Sequence, residues 1–541
     1  MRVRLLMCSI ACALASCSLV IDTSGLSGGA TDADGGGGPD GGGLDGSPDG
    51  PCAAACDDHD PCTDDTCTAT GQCVHTAGTA ACDDGDPCTK ADACKLGTCF
   101  SGAVDTVSAT CTSKPTPIYR SVGPSSVDAL ATSTASSSTM TLAGTTVLFS
   151  KALPDRIGVG DALQYDSDGD GKIDALAFIH ARLSSTTYRV RAHDGKSPVA
   201  VANGTMWSLY RAYTSLDDAT STGNENVGID GTLRNFDTWS GGHRLDTEQW
   251  NIACYADGIP DSTPVTLCNA AYTTPDCPAK GWITSPTSYL RIYTPTSPSE
   301  VGTSQRHKGR WGEGYQRTGY IIVQPGGYVR IDGMSIRQTS TDRTYLVLAP
   351  GIGGEIQITN SFGWSVQRTF DVWDGDYAPG GTMHVVKFFN DIGVTDSTTD
   401  PAGAFYLNSS KIAAYVYNST GIARAPSSGA FNGVYGVGVC KNCLGVQVGS
   451  AGGFIGSWVS VSTSASNDGS AMTFGANNVS NQVFSFVDSA SNDYHLVKSS
   501  SSNGGVRGKG ENLSTSFTTD IDGDARPAMG GWDIGADQVV P

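Results

Sequence analysis

Short apolar runs, each followed by Ser, Thr, Gly, Asn or Asp, recur along the chain from about residue 119 onward. Runs of this length, with alternating apolar and polar positions or clustered β-branched side chains, are typical of β-strands. After about residue 215, no segment has the apolar spacing of an amphipathic helix. Strands are therefore predicted at 140–143, 146–149, 175–179, 188–191, 320–323, 328–331, 345–348, 355–358, 384–388, 413–417, 444–448 and 458–461.

The composition supports a mainly β chain. Of 541 residues, 69 are Gly, and only six of the 54 acidic residues are Glu. Asp and Gly favour turns and caps, whereas Glu favours helices, so a helical bundle or an α/β enzyme with long helices is excluded. The net charge of −20 argues against a nucleic-acid partner, because phosphate binding requires a basic surface.

Asn residues follow several of the predicted strands. Asn tolerates the left-handed backbone conformation, and its side chain can form hydrogen bonds along a stack of coils. These features favour a mainly β fold that ends in a right-handed parallel β-helix solenoid, although a β-sandwich would have similar local strands. The turn residues are Asn360, Asn390, Asn408, Asn418 and Asn478.

Several segments strengthen the β-helix prediction by resemblance. Segments 233–239, 248–257, 289–295, 305–311 and 329–336 are similar to the beginning of bacterial and phage parallel β-helix proteins, and 520–537 is similar to their closing motif. The resemblance extends over roughly residues 120–541 and implies a pectate-lyase-like fold. This fold occurs in polysaccharide lyases, glycoside hydrolases and non-catalytic adhesins, so it leaves the activity open.

The N-terminal 16 residues have the features of a signal peptide. Arg2 and Arg4 precede an apolar run at 5–13 that is too short for a permanent membrane span. Residues 14–17 resemble a bacterial lipobox, which implies a lipid on Cys17, whereas an ordinary cleavage site is the alternative. Ser18, in the place of an Asp, implies an outer-membrane lipoprotein exposed at the cell surface. Residues 17–51, rich in Gly and Asp, are predicted to be a disordered linker.

Ten of the 18 cysteines lie in a module at 52–111 that contains two similar units. Few aliphatic residues accompany them, so this module requires crosslinks, and export permits disulfides. A zinc site is the alternative, but the spacings differ from close C-x₂-C pairs. The repeated pattern resembles dickkopf-like cysteine-rich repeats. Predicted disulfide cysteines are Cys52, Cys56, Cys62, Cys67, Cys73, Cys82, Cys88, Cys94, Cys99, Cys111, Cys268, Cys277, Cys440 and Cys443, with Cys254 left over.

A small β module is predicted at 119–215, before the β-helix at 216–541, and it contains one candidate calcium loop. The carboxylates occupy positions 1, 3, 5 and 9 of an EF-hand-like loop, and a backbone carbonyl is expected at position 7. Ala177 replaces the Glu of position 12, so weak binding is expected, and an ion-free acidic turn is the alternative. The candidate ligands are Asp166, Asp168, Asp170, Lys172 and Asp174.

One acidic cluster beside an arginine is a weak candidate for catalysis. Calcium-dependent lyases combine acidic residues with an Arg or Lys base. The cluster is interleaved with aromatic residues that could stack on sugars, and a long acidic turn between coils is the alternative. Its residues are Arg368, Asp371, Asp374 and Asp376. The basic segment 306–313 is interpreted as a source of internal salt bridges rather than an anion site.

Two functions follow from this organisation. The first is a lipid-anchored surface protein with a binding, adhesive or structural role, whose partner is a glycan or a surface protein. The alternative is a surface polysaccharide lyase or glycoside hydrolase of the β-helix type. The oligomeric state is left open.

Lipid attachment is testable directly. We expect radiolabelled palmitate to be incorporated into the wild-type protein and not into Cys17→Ala, because the lipid is attached to this sulfur. Labelled palmitate that never reaches Cys17 contradicts the predicted membrane anchor.

Overall fold

The computed structural model describes residues 62–68, 72–82, 89–95, 98–100, 103–104, 115–237, 248–269, 281–324, 327–340, 343–348, 353–373, 383–399, 402–475 and 477–540. The chain divides into two units, Met1–Asp57 with Thr66–Val74, and Asp58–Asp65 with His75–Pro541. Within the first unit, Thr66 Oγ1 donates a hydrogen bond to the carbonyl of Val74. The small β module and the parallel sheets described below belong to the second unit.

The cysteine-rich module contains short strands and disulfides. Cys62 and Cys94 are bonded, with a Cα–Cα distance of 5.1 Å. Cys67, Cys73 and Cys82 are also disulfide-bonded. Cys52, Cys56, Cys88, Cys111 and the side chain of Cys99 lie outside the described residues. The strands are β1 (Thr63–Cys67), β2 (Cys73–Ala77), β3 (Thr89–Lys90), β4 (Ala93–Lys95), β5 (Thr98–Phe100) and β6 (Ala103–Val104).

An eight-stranded antiparallel sheet forms the small β module, in the order β14-β9-β10-β13-β12-β11-β15-β8. Its alternating apolar residues form a separate core that includes Val147, Tyr165 and Trp207. The short helix α1 (Ser133–Ser136) is capped by Thr132 Oγ1, which accepts the Ala135 N–H at 3.0 Å. The strands are β8 (Ala131–Thr132), β9 (Met140–Ala143), β10 (Thr146–Phe149), β11 (Ala162–Tyr165), β12 (Ala175–Arg182), β13 (Thr187–Arg191), β14 (Val201–Gly204) and β15 (Trp207–Tyr210).

Three parallel sheets form the largest part of the fold. Sheet A contains β7 (Thr116–Val122), β16 (Glu248–Cys254), β18 (Leu290–Tyr293), β21 (Tyr328–Asp332), β24 (Glu355–Thr359), β27 (His384–Phe389), β30 (Ile412–Tyr417), β33 (Gly438–Lys441) and β36 (Ser460–Ser462). Sheet B contains β17 (Val265–Leu267), β20 (Ile321–Val323), β23 (Tyr345–Leu348), β26 (Phe370–Trp373), β29 (Gly403–Asn408), β32 (Gly429–Gly433) and β35 (Phe454–Gly456). Sheet C contains β19 (Gln316–Arg317), β22 (Ser335–Gln338), β25 (Phe362–Ser365), β28 (Ile392–Thr395), β31 (Thr420–Ala423), β34 (Leu444–Gln447) and β37 (Ala465–Ser466).

From β18 onward, each strand of these sheets pairs in parallel with the strand three positions later in the chain. The mainly β prediction is confirmed, and the arrangement is consistent with a β-helix-like solenoid. The alternative of an antiparallel β-sandwich is wrong for this region, because the pairings within sheets A, B and C are parallel. Most strands predicted after residue 215 are present within one or two residues.

In the sequence, the small β module lies between β7 and β16, which are neighbouring strands of sheet A. Strand β7 pairs with β16 through seven residue pairs, from Thr116 and Glu248 to Val122 and Cys254. Ile118 and Val122 pack with Ile252 in the large core, which stabilises this long-range pairing. The predicted module boundary at residue 119 therefore falls inside a strand of sheet A.

Stacked aromatic rings fill the interior beside sheet B. Ring centroids in successive strands are 4.8, 4.7, 4.9 and 5.0 Å apart, and the ring planes are nearly parallel. Adjacent strands lie about 4.8 Å apart, so parallel pairing in register brings equivalent rings to stacking distance. The stacked residues are Tyr345, Phe370, Phe405, Phe431 and Phe454.

Asn residues form the turn after four strands of sheet A. Asn360, Asn390, Asn418 and Asn442 have φ of 50°, 57°, 45° and 54°. Asn390 Nδ2 donates to Asn360 Oδ1 at 3.2 Å, and Asn442 Nδ2 donates to Asn418 Oδ1 at 3.0 Å. The predicted role of Asn turns is confirmed for the first three residues.

Two of the predicted Asn residues do not follow this pattern, because neither directly follows a strand of sheet A. Asn408 is the last residue of β29. Asn478 Nδ2 donates to the carbonyl oxygens of Val461 and Ala471, beyond the last strand of sheet A.

The C-terminal segment returns along these turns. Its elements are β38 (Phe486–Asp488), β39 (Asp493–Leu496) and the short 3₁₀ helices Ser489–Ser491 and Ser501–Gly505; a further 3₁₀ helix, Ala471–Phe474, and a π-helix, Asp218–Thr222, occur earlier. The buried Arg526 guanidinium donates to Asn390 Oδ1 at 2.9 Å and to the Ala536 carbonyl at 2.8 Å. No helix among the described residues is long and apolar enough to span a membrane.

The aromatic stack gives a stability prediction. Phe405 contacts Phe370 and Phe431 and is fully buried, so Phe405→Ala leaves a cavity between the rings of two neighbouring strands of sheet B. We expect the free energy of unfolding in urea to fall by about 3–5 kcal/mol. Val483→Ala, at a side chain that is 72% exposed, is the control and should change it by less than about 0.5 kcal/mol. A loss at Phe405 as small as that of the control contradicts the stacked packing.

Candidate functional site

A groove of 540 Å³ lies on the outer face of sheet A. Three successive strands, β24, β27 and β30, supply most of its floor. The segment 511–519, here called the strap, supplies the opposite wall. The lining residues are Asp332, Gln357, Thr359, Asn360, Lys387, Phe389, Asn390, Tyr415, Tyr417, Thr515, Ser516, Phe517 and Thr519.

Strand register brings the floor residues together. Gln357 is opposite Lys387, and Lys387 is opposite Tyr415. Two residues farther along, Phe389 is opposite Tyr417. Because side chains alternate across a strand, these positions face outward while the intervening apolar side chains enter the core.

Aromatic rings form one side of the groove. Phe389 and Tyr417 are stacked, with ring centroids 5.1 Å apart and an interplanar angle of 9°. Phe517 of the strap is 5.4 Å from Phe389, and Tyr415 is 6.0 Å from Tyr417 in an edge-on orientation. Within the described part of the chain, the hydroxyls of Tyr415 and Tyr417 have no protein hydrogen-bond partner, so both can bond to a ligand.

The strap is fastened at both ends by the Asn turns. At one end, the Glu511 N–H donates to Asn442 Oδ1 at 2.8 Å, and Asn442 Nδ2 donates to the Glu511 carbonyl at 2.8 Å. At the other end, Asn390 Nδ2 donates to the Thr519 carbonyl at 2.8 Å. Between these ends, Phe517 lies 5.4 Å from the buried Trp532 ring. The turn residues that stabilise the stack therefore also position one wall of the groove.

Both charged side chains among the described lining residues, those of Asp332 and Lys387, have protein partners. Asp332 Oδ2 is 2.5 Å from Arg306 Nη2, and Asp332 Oδ1 accepts Asn360 Nδ2 at 2.7 Å. Burial alone would raise the pKa of Asp332, but the Arg306 charge and the Asn360 hydrogen bond outweigh it and lower this pKa. Lys387 Nζ is 2.8 Å from Glu355 Oε2. Burial alone would raise the pKa of Glu355 as well, but the hydrogen bond from Lys387 outweighs it and lowers this pKa.

The arginine cluster singled out in the sequence is only partly described. Arg368 Nη1 is 3.4 Å from Asp371 Oδ2, and Arg343 also contacts this carboxylate. Burial raises the pKa of Asp371, against the opposing charges of both arginines. Asp374 and Asp376 lie outside the described residues. Asp371 belongs to β26 in sheet B, so this cluster is separate from the groove on sheet A.

The candidate calcium loop brings together three of its four carboxylates. Oxygens of Asp166, Asp168 and Asp170 lie within 4.8 Å of one another. Asp174 instead accepts hydrogen bonds from the backbone N–H and hydroxyl of Ser167. Lys172 is exposed, and its Nζ is 3.3 Å from Asp170 Oδ2.

Backbone hydrogen bonds also shape this loop. Asp166 accepts the N–H groups of Gly171 and Gly169 at 2.9 and 2.7 Å. These bonds lower the pKa of Asp166, so its carboxylate stays ionised at neutral pH.

The basic segment 306–313 is used for internal contacts, as interpreted from the sequence. Arg306 pairs with Asp332, and Arg310 pairs with Glu313 and with Asp493. Buried His307 accepts the Gly309 N–H through Nδ1. Burial lowers the pKa of His307 to about 4, so this imidazole is neutral at physiological pH.

A second acidic cluster lies in the closing motif. His495 Nε2 is 2.9 Å from Asp522 Oδ2, and His495 Nδ1 is 2.5 Å from Asp493 Oδ1. Burial alone would lower the pKa of His495, but the hydrogen bond and charge of Asp522 outweigh it and raise this pKa to about 10. Burial raises the pKa of Asp537 to about 6 and that of Asp520 to about 7. The ion pair between His495 and Asp522 connects β39 to the closing motif.

Sequence reasoning missed the groove. Alternation in β30 indicates that Tyr415 and Tyr417 share one face, which is the only local signal. Gln357, Lys387 and Tyr415 become neighbours through strand pairing, and Phe517 comes from a segment without a strand pattern.

Comparison with known families concerns the cysteine-rich module. Residues 55–77 match a family model described as a Dictyostelium (slime mold) repeat. No curated protein and no solved structure matches the chain. The matched segment contains Cys56, Cys62, Cys67 and Cys73, the cysteines of the first predicted unit, so a cysteine-rich repeat is confirmed there.

Proposed function

We propose that this protein is a lipid-anchored cell-surface protein that binds a glycan, without cleaving it, in the groove on sheet A. The proposal rests on the combination of aromatic rings and amide side chains in one groove of 540 Å³. Sugars present C–H faces that pack on aromatic rings and hydroxyls that bond to carboxamides. Tyr415, Tyr417 and Phe517 supply the rings, and Gln357 and Asn360 supply the carboxamides.

The small number of carboxyl groups among the described lining residues favours glycan binding over glycan hydrolysis. Glycoside hydrolases use two carboxyl groups, one of them protonated. Among the described lining residues, Asp332 is the single carboxylate, and Arg306 favours its ionised form. This arrangement lacks the protonated partner that hydrolysis requires.

A polysaccharide lyase or glycoside hydrolase is the second candidate function. A buried carboxyl with a raised pKa beside two arginines is typical of a catalytic site as well as of a structural ion pair. Asp371, with Arg343 and Arg368, has these properties. Release of unsaturated or reducing sugars by the wild type, abolished in Arg368→Ala, would favour this alternative.

We further propose that the three sheets form a right-handed parallel β-helix held outside the outer membrane. The lipid would be attached to Cys17, and residues 17–51 would act as the linker. A Gly-rich linker of about 30 residues spans on the order of 30 Å. The partner would then be a glycan or a protein on a neighbouring surface.

Calcium is proposed as the ion of the loop in the small β module. Asp166, Asp168 and Asp170 present oxygens at mutual distances that a Ca²⁺ ion can bridge. Three clustered carboxylates repel one another, so a cation would stabilise the loop. Lys172 would contribute its backbone carbonyl, and Asp174 would orient the loop through Ser167.

The groove proposal predicts a specific loss of binding. Tyr415→Ala removes one aromatic face, and we expect affinity for a bound polysaccharide to fall by about two- to tenfold, or about 0.5–1.5 kcal/mol. Biolayer interferometry of the full chain over immobilised polysaccharides measures this. Tyr435→Ala, at an exposed tyrosine outside the groove, is the matched control and should bind like wild type. Equal losses in both variants contradict the groove as the binding site.

The calcium proposal predicts ligand-dependent stability. With a dissociation constant of about 10⁻⁴–10⁻³ M, about 10 mM Ca²⁺ should stabilise the protein by about 1.4–2.7 kcal/mol. Asp168→Asn should remove this effect, whereas Asp194→Asn, elsewhere in the same module, should retain it. An unchanged melting temperature of the wild type in Ca²⁺ contradicts the proposal.

A further inference from the structure

We infer that the groove on sheet A selects uncharged glycans and discriminates against polyuronates and other acidic polysaccharides. This inference rests on the proposed function and specifies the ligand class of the same groove. It is carried by the charge balance of the lining residues and of the side chains that contact them.

Both charged side chains among the described lining residues are neutralised within the protein. The Lys387 ammonium is held 2.8 Å from Glu355, and both side chains are about three-quarters buried. The Asp332 carboxylate is held 2.5 Å from Arg306 and is also bonded to Asn360 and Thr359. An anionic ligand therefore meets no surplus positive charge at these positions.

Recognition of a carboxylate or sulfate usually involves an arginine fork or an uncommitted ammonium group. The described lining residues include no arginine, and Lys387 is their one cation. To bind an acidic sugar, Lys387 would have to leave Glu355, and the Glu355 carboxylate would then repel the ligand. The overall charge of −20 adds a long-range repulsion to polyanions.

The remaining polar groups suit neutral hydroxyls. The carboxamide groups of Gln357 and Asn360 and the hydroxyls of Tyr415 and Tyr417 line the groove, whereas the buried Asn390 carboxamide is already bonded to Asn360, Thr519 and Arg526. These groups both donate and accept, as sugar hydroxyls do. The aromatic rings beside them provide packing surfaces that require no ligand charge.

The experiment compares neutral with acidic polymers on the full chain. Soluble β-1,3-glucan, dextran and galactomannan are the neutral probes, and polygalacturonate, alginate and hyaluronate are the acidic probes. We expect at least one neutral polymer to bind, with an affinity that changes by less than about twofold between about 20 mM and about 500 mM NaCl, because no charge pair is screened. Tyr415→Ala should weaken this binding.

A single substitution should strengthen the binding of acidic polysaccharides, against which the wild-type groove discriminates. Glu355→Gln leaves Lys387 without its counter-charge, and we expect affinity for polygalacturonate to rise by up to about fivefold at low salt. Glu300→Gln is the matched control. It removes the same charge beside Arg291, on sheet A but outside the groove, and should leave binding of acidic polymers unchanged.

The outcomes separate the two proposals. Tighter binding of an acidic polymer by the wild type, weakened by salt, overturns the inferred ligand class and leaves glycan binding intact. An absence of gain in Glu355→Gln also contradicts the inferred charge balance. Failure of all six polymers to bind overturns glycan binding itself, and the inference with it.

Discussion

Parallel pairing in register is the constraint on which this structure depends. Each strand of sheets A, B and C pairs in parallel with its neighbour, so equivalent side chains lie one strand spacing apart. A shift of one residue would exchange the inward and outward faces, moving Ile358 out of the core and Gln357 into it. The stacked rings from Tyr345 to Phe454 and the Asn turns both require the same register. Core packing and turn hydrogen bonds therefore stabilise a single alignment of the strands.

The same register builds the groove. Lys387 and Tyr415 are neighbours because β27 and β30 pair, and Phe389 stacks on Tyr417 for the same reason. The Asn turns then hold the strap against these strands, since Asn390 and Asn442 bond to its backbone. The groove is therefore a product of the parallel strand pairing and of the returning C-terminal segment.

The sequence predicts local features of this fold well. Apolar alternation identifies strands such as β24 and β30, and Asn360, Asn390 and Asn418 identify turns, because each signal lies within a few residues. Pairing between strands that are far apart in the sequence has no such local signal. Strand β7 joins β16 across the whole small module, and the boundary predicted at residue 119 could not reveal it.

In the candidate sites, too, local contacts follow from the sequence, whereas contacts between distant segments do not. Arg368 and Asp371 are three residues apart, and their contact follows from that spacing, but the burial of Asp371 depends on the tertiary fold. Asp166, Asp168 and Asp170 cluster as their loop spacing predicts, whereas Asp174 bonds to Ser167. The groove combines residues from 332 to 519, so only the tertiary fold identifies it.

Hydroxyl-radical footprinting with a neutral polysaccharide tests the central claim most directly, because it reports which tyrosines the ligand covers in the intact protein. The account predicts that a saturating neutral glycan lowers the oxidation rates of Tyr415 and Tyr417 and leaves that of the exposed Tyr435 unchanged. Oxidation of Tyr415 and Tyr417 at the same rate with and without a bound glycan would contradict it.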